Sequence, residues 1–171
     1  MKIVLIGYMG SGKSTVGREL SKNLGIQFID LDEFIEASEN STIPKIFEEK
    51  GEIYFRRKEY DYLKELLDAD DDFVLSTGGG TPCYGQNMQA ILKATHNVYY
   101  LNVPIKELVL RLSKEKEDRP MISNISDEEL LEFIGKHLFE RSFFYNQAHQ
   151  TVYCTSKKIE KLVNEISSTL I

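Results

Sequence analysis

The sequence is short of the residues that mark secreted, metal-binding or membrane proteins. Only two cysteines occur in 171 residues, Cys83 and Cys154, with neither a pairing pattern nor metal-ligand spacing. A reducing compartment, the cytoplasm, is therefore expected. The three histidines, His96, His137 and His149, are scattered and form no H-x-x-x-H pair, so they read as surface or half-buried fillers rather than ligands. No apolar run approaches the ~20 residues of a membrane span, and the apolar start is too short for a secretory signal. Basic residues are outnumbered, with a net charge of -6. A nucleic-acid partner is not expected, because that surface needs a basic footprint, and an anionic ligand would have to be held by local arginines against a repulsive field. Asn40-Ser41-Thr42 and Asn124-Ile125-Ser126 match the glycosylation pattern, which means little in a chain that is not secreted. Internal repeats, low-complexity tracts and a second domain boundary are also lacking. Length and 42% hydrophobic content suit one domain over 1–171.

What is present begins with Gly7-Tyr8-Met9-Gly10-Ser11-Gly12-Lys13-Ser14-Thr15, a complete G-x-x-x-x-G-K-[ST] phosphate loop. Ile3-Val4-Leu5-Ile6 leads into it as a short apolar run suited to a buried parallel strand. Val16, Leu20 and Leu24 behind it recur at the spacing of one helix face. The glycines let backbone N–H groups turn around an anion, and the helix N-terminus adds partial positive charge there. Lys13 is expected to reach the β- and γ-phosphates and the Ser14 hydroxyl to sit on magnesium. The bland alternative is a glycine-rich turn that matches by chance. Against it, strand, loop and helix agree in order, so a nucleoside triphosphate is the expected ligand.

Ile26 to Ile29 reads as a second strand ending at Asp30-Leu31-Asp32. Ligands of open parallel sheets collect beyond the carboxyl ends of strands, where both acids would lie. Asp30 reads equally as a helix cap or as a magnesium contact through water; Asp32 reads as functional, with helix capping as the alternative. Ile43 to Lys50 is predicted helical and broken at Gly51. A longer helix over Glu52 to Leu67 is predicted to turn Ile53, Tyr60, Leu63 and Leu67 to the core. Arg56 and Glu59, three apart on it, read as a plain surface ion pair. Phe73 to Thr77 is a third strand running into Gly78-Gly79-Gly80. Three glycines exceed what a turn needs, which suggests close approach of a ligand to the backbone. A helix over Tyr84 to Lys93 and a strand over Val98 to Leu101 follow.

Pro104 opens a helix that carries Arg111. Residues 113–126 are polar-rich with few core candidates, and a loop of that length is usually a functional lid or disordered. Arg119 within it would meet phosphate charge on closure. Ser126 and Glu129 make a capping box for a long helix carrying Arg141. Thr151 to Cys154 is a fifth strand, and an amphipathic helix closes the chain. Strands alternate with helices, giving an α/β fold with a five-stranded parallel sheet. Arg56 and Arg141 are forked donors suited to an acceptor carboxylate, and Asp32 could hold an acceptor hydroxyl and take its proton. Phosphoryl transfer from ATP to a small acidic alcohol is the reaction these residues suggest.

With these residues the chain resembles shikimate kinases over nearly its whole length. The resemblance rests on the phosphate loop and on the D-x-D-x-x-I-E element, Asp30-Leu31-Asp32 through Ile35-Glu36. It rests also on F-R-x-x-E as Phe55-Arg56-Arg57-Lys58-Glu59, on Gly78-Gly79-Gly80, and on Arg119-Pro120. It implies a three-layer fold like nucleoside monophosphate kinases with strand order 2-3-1-4-5. An acceptor subdomain over about 32–62, a lid over about 113–126 and a monomer are implied as well. It implies ATP and Mg2+ as co-reactants and shikimate 3-phosphate as product, in aromatic amino-acid biosynthesis. Carried onto this chain, Lys13, Asp32 and Arg119 are catalytic, and Gly10 through Thr15 bind nucleotide. Arg111 flanks the adenine, while Asp32, Arg56, Gly78, Gly79, Gly80 and Arg141 hold shikimate beside Phe47 and Phe55. The late helix departs from the usual R-x-P-x-Y-x-E-x-A. Arg141, Tyr145 and Ala148 stay in frame, but proline and glutamate are absent. Gluconate kinase, a nucleoside monophosphate kinase and a non-catalytic nucleotide-binding module are the rival readings. The missing N-K-x-D speaks against a GTPase switch.

Overall fold

The computed structural model describes every residue except Pro120, with the Asp118 side chain also left out. Strands β1 (Lys2–Ile6), β2 (Gln27–Asp30), β3 (Phe73–Ser76), β4 (Asn97–Asn102) and β5 (Gln150–Tyr153) pair in parallel in the order β2-β3-β1-β4-β5. The predicted order therefore holds. Helices α1 (Lys13–Leu24), α2 (Leu31–Glu39), α3 (Ile43–Asp68), α4 (Asn87–Ala94), α5 (Ile105–Ser113), α6 (Asp127–Tyr145) and α7 (Ile159–Ser167) connect and flank them. β1, β3 and β4 are almost wholly buried, as continuous apolar strands between helical layers should be. Each enclosed aliphatic side chain there contributes roughly 1.5–3 kcal/mol. Strands β1 and β3 are neighbours, so the loops after them lie side by side. That adjacency brings the phosphate loop against the glycine triplet.

Two segments differ from the sequence-based expectation. The helix break at Gly51 is present as a kink inside α3, with φ 82° and ψ 171°, a conformation that favours glycine. The kink resets the face of the second half. Phe55, Glu59, Leu63, Leu66 and Leu67 turn inward, whereas Ile53 is 83% exposed. The buried face is rotated from the one read through Ile53, Tyr60, Leu63 and Leu67, centring instead on Phe55, Glu59, Leu63 and Leu66. Tyr60 is half-buried. The region 113–126 is less devoid of core than expected: it contains a short 3-10 turn over Lys116–Asp118, and Ile122 is fully buried. Pro120 of the expected Arg-Pro pair lies outside the described residues. Smaller shifts affect the start of α4, which a 3-10 turn over Thr81–Cys83 delays to Asn87. The capping box at Ser126 and Glu129 is formed.

Candidate active site

The nucleotide side is built from the backbone. Gly10 and Gly12 take φ 75° and 88°, the left-handed region a side chain resists. Ser11 N donates to Tyr8 O at 3.2 Å, closing the loop. The Lys13 ammonium is folded back on this loop, donating to Gly7 O at 2.8 Å, Tyr8 O at 3.0 Å and Ser11 Oγ at 3.4 Å. Burial pushes it down to about 8, against the pull of Asp32 and Asp30. It therefore stays largely charged at neutral pH, ready to exchange carbonyls for phosphate oxygens.

Asp30 fulfils its helix-cap reading, and its other carboxylate oxygen is turned to Ser14. Its Oδ1 caps α2, accepting from Asp32 N at 3.1 Å and Glu33 N at 3.4 Å, while Oδ2 accepts from Ser14 Oγ at 2.6 Å. Ser76 Oγ is 3.3 Å from Ser14 Oγ. An oxygen-only set of one hydroxyl and a nearby carboxylate suits a hard cation that keeps its waters and leans on phosphate. Among the described residues no group of three metal-ligating side chains forms a closed cage. Arg111 donates to Gly10 O at 3.1 Å and pairs with Glu107. Arg119 donates through Nε and Nη2 to Glu115 Oε2 at 2.8 and 2.6 Å. Arg111, Glu115 and Arg119 line a cavity of about 390 Å³ together with Gly10, Gly12, Lys13, Ser14, Thr15, Asp32, Gly78 and Gly79.

The other side is built from side chains that crowd the glycine triplet. A β-carbon placed on Gly78 would stand 3.0 Å from Asp32 Oδ1. One on Gly79 would stand 3.2 Å from Arg141 Nη1, and one on Gly80 would stand 3.2 Å from Arg56 Nη2. None of the three has a positive φ, so space rather than conformational freedom explains the run. The close neighbours are protein atoms: the Asp32, Arg141 and Arg56 side chains, which sequence reasoning had singled out separately, with Thr81 Oγ1 3.0 Å from the Gly78 position and Met9 N 3.2 Å from that of Gly79.

Arg56 is held firmly. It donates to Glu59 Oε2 at 2.8 Å, and its guanidinium carbon lies 3.6 Å from the Tyr84 ring centroid and 5.1 Å from that of Phe55. Glu59 Oε1 accepts from Thr81 Oγ1 at 2.8 Å. The Glu59 side chain is 2% exposed and that of Arg56 21%, which corrects the surface-pair reading. A buried pair orders its partners more than it stabilises the fold. Burial, then the Asp30 and Glu59 carboxylates, push Asp32 up to about 6, a value suited to taking a proton near neutral pH. Phe47 and Phe55 pack with ring centroids 4.6 Å apart. Despite the missing proline and glutamate, α6 runs unbroken to Tyr145, whose hydroxyl donates to Gly79 O at 2.6 Å.

Sequence reasoning missed Thr81, Tyr84 and Tyr8 as supports of the site. No local pattern marks them, because their partners are distant in the chain. Glu59 carried a signal only through its place in F-R-x-x-E.

A shikimate kinase family model matches residues 9–171. The shikimate kinase of Flavobacterium psychrophilum is 43% identical over 99% of this chain and 98% of its own length, and that of Flavobacterium johnsoniae is 45% identical with the same coverage. The shikimate kinase structure from Bacteroides thetaiotaomicron superposes with TM-score 0.90 at 35% identity, covering 98% of this chain and 97% of that one. The Acinetobacter baumannii enzyme in complex with shikimate superposes with TM-score 0.86 at 34% identity, covering 98% of this chain and 90% of that one. A gluconokinase from Sinorhizobium meliloti, at 16% identity and TM-score 0.56, shares the fold alone. The chain belongs to the shikimate kinase family, whose members phosphorylate shikimate with ATP in aromatic amino-acid biosynthesis.

Proposed function

We propose a division of labour for the shikimate kinase reaction within this site, with the loop after β1 holding ATP and the wall around the glycine triplet holding shikimate. The observation that carries the second half is the convergence of Asp32, Arg141 and Arg56 on Gly78, Gly79 and Gly80. A carboxylate and two guanidinium groups on one wall suit a molecule bearing hydroxyls and a carboxylate. Arg56 and Arg141 take the carboxylate by forked contacts. Asp32 holds the 3-hydroxyl.

The hydroxyl oxygen bonds to the γ-phosphorus as the bond to the β,γ-bridging oxygen breaks, ADP leaves, and the hydroxyl proton passes to Asp32. Because the transition state is loose, positioning and charge neutralisation accelerate the reaction more than proton removal does. Lys13 swings from the loop carbonyls to the β- and γ-phosphates, and Arg119 leaves Glu115 to meet the transferring group. Gly10 through Thr15 cradle the phosphates, and Arg111 flanks the adenine. Ser14, with Asp30 behind it through water, would hold Mg2+, which when bound neutralises phosphate charge. Residues of about 32–62 form the acceptor subdomain and those of about 113–126 the lid. The protein acts as a cytoplasmic monomer in this reading, and among the described residues no helix is long and apolar enough to cross a membrane.

The test is ADP release with ATP and Mg2+ against shikimate, gluconate and nucleoside monophosphates, with phosphorus NMR locating the ester. Turnover only with shikimate, esterified at the 3-hydroxyl, is expected. Equal turnover with gluconate or a nucleotide would overturn the acceptor assignment.

A further inference from the structure

Tyr8 stands at an unrestricted position of the phosphate-loop motif, yet it is a large side chain only 1% exposed. Its hydroxyl lies 2.8 Å from His137 Nδ1, and the two rings meet edge to face with centroids 5.4 Å apart. Burial pushes the Tyr8 phenol up to about 12 and pushes the His137 imidazole down. The Tyr8 hydroxyl and His137 Nδ1 thus share one hydrogen bond, its donor set by the imidazole tautomer.

His137, Arg141 and Tyr145 follow one another at i, i+4, i+8 on α6 and so share one face. Each of the three reaches the wall made by the phosphate loop and the triplet. His137 bonds Tyr8. Arg141 places its guanidinium carbon 5.6 Å from the Tyr8 ring centroid and its Nη1 against Gly79. Tyr145 bonds Gly79 O. Arg141 is thus the middle rung, with a fixed contact one turn to either side. The ring beneath it also belongs to the loop that would hold ATP.

We infer that Tyr8 and His137 are positioning residues for Arg141, tying α6 to the phosphate loop so that the guanidinium faces the acceptor in a single orientation. The inference rests on the reading that Arg141 holds the shikimate carboxylate. A long arginine left to itself samples many rotamers, and ordering it before binding removes that entropic cost from the binding step. Neither side chain of the pair is among those assigned to a substrate under the proposed function. Its effect is therefore confined to acceptor affinity.

Steady-state kinetics of His137→Leu, Tyr8→Phe, His137→Asn and Arg141→Ala, with the His137→Leu/Arg141→Ala double variant, test this. His137→Leu and Tyr8→Phe are expected to raise the shikimate KM about three- to tenfold, with kcat and the ATP KM within about twofold. His137→Asn, whose amide can donate or accept near the Nδ1 position, should recover part of the loss relative to His137→Leu. In the Arg141→Ala background His137→Leu should add nothing. An unchanged shikimate KM in Arg141→Ala would overturn the role given to Arg141. A raised KM there with unchanged His137→Leu and Tyr8→Phe would overturn the inference alone. Additive effects in the double variant would overturn it too, as would parallel losses in kcat and both KM values. His137 is half-buried on a helix surface, so its variants carry the test even if Tyr8→Phe fails to fold.

Discussion

The two halves of the active site are made in different ways. The proposed nucleotide half centres on one contiguous loop whose ammonium, Lys13, rests on the loop's own carbonyls. The proposed acceptor half draws Asp32, Arg56 and Arg141 from three helices onto three glycines, and it keeps Arg56 in place through the buried Glu59 and Thr81. A loop of backbone donors binds phosphate in any kinase of this fold. Selecting the acceptor needs side chains, and side chains must be held. The acceptor half should therefore be breakable from a distance and the nucleotide half should not.

The largest effect should come where the halves meet. Asp32→Asn is expected to lower kcat by about 10²–10⁴-fold while the ADP dissociation constant, measured by calorimetry, stays within about twofold. Near-normal turnover would remove Asp32 as base and orienter. Next, Glu59→Gln should unpair Arg56 in a largely buried place. The usual cost of 3–5 kcal/mol is reduced here by the partial exposure of Arg56, to about 2 kcal/mol, which lowers Tm by roughly 4–8 °C. The shikimate KM should rise as well, and the ATP KM should not. Thermal melts and kinetics of one preparation check both.

Arg56→Lys replaces a forked donor with a point charge and should raise the shikimate KM roughly tenfold, again without touching ATP. The pH profile of kcat/KM should show one limb from each half. With Asp32 at about 6, activity falls as pH drops through that value, because the protonated acid cannot accept the hydroxyl proton. With Lys13 at about 8, it falls as pH rises past that value, because the neutral amine no longer attracts phosphate. Asp32→Asn should remove the acid limb and leave the alkaline one.

The same contrast explains what the sequence disclosed. The phosphate loop is contiguous and constrained by backbone geometry, so Gly10, Gly12, Lys13 and Ser14 were legible from spacing alone. Alternation of apolar strands with amphipathic helices gave the parallel sheet. The strand order came only through resemblance, as did the proposed grouping of Gly78 to Gly80 with Arg56 and Arg141, whose suitability for a carboxylate was read from their side-chain chemistry. Glu59 was misread because a charge on a helix is ordinarily solvated, and its burial depends on Thr81 and on the kink at Gly51. Ile53 was misplaced because the inward face of the second half centres on Phe55, Glu59 and Leu63 rather than on Ile53 and Tyr60. Tyr8 was invisible for a similar reason: its partner lies on α6, 129 residues away.

The central claim, that the glycine triplet keeps space open for the acceptor-holding side chains, has a direct measurement. Gly80 has an ordinary negative φ of -86°, so alanine fits the backbone there and presses chiefly on Arg56, whose guanidinium it would meet at 3.2 Å, with Tyr84 Cε2 at 3.4 Å. Calorimetric dissociation constants of wild type and Gly80→Ala should differ by about tenfold for shikimate, or about 1.4 kcal/mol. For ADP with Mg2+ they should agree within about twofold. Equal weakening of both ligands, or an unchanged shikimate constant, would contradict the account.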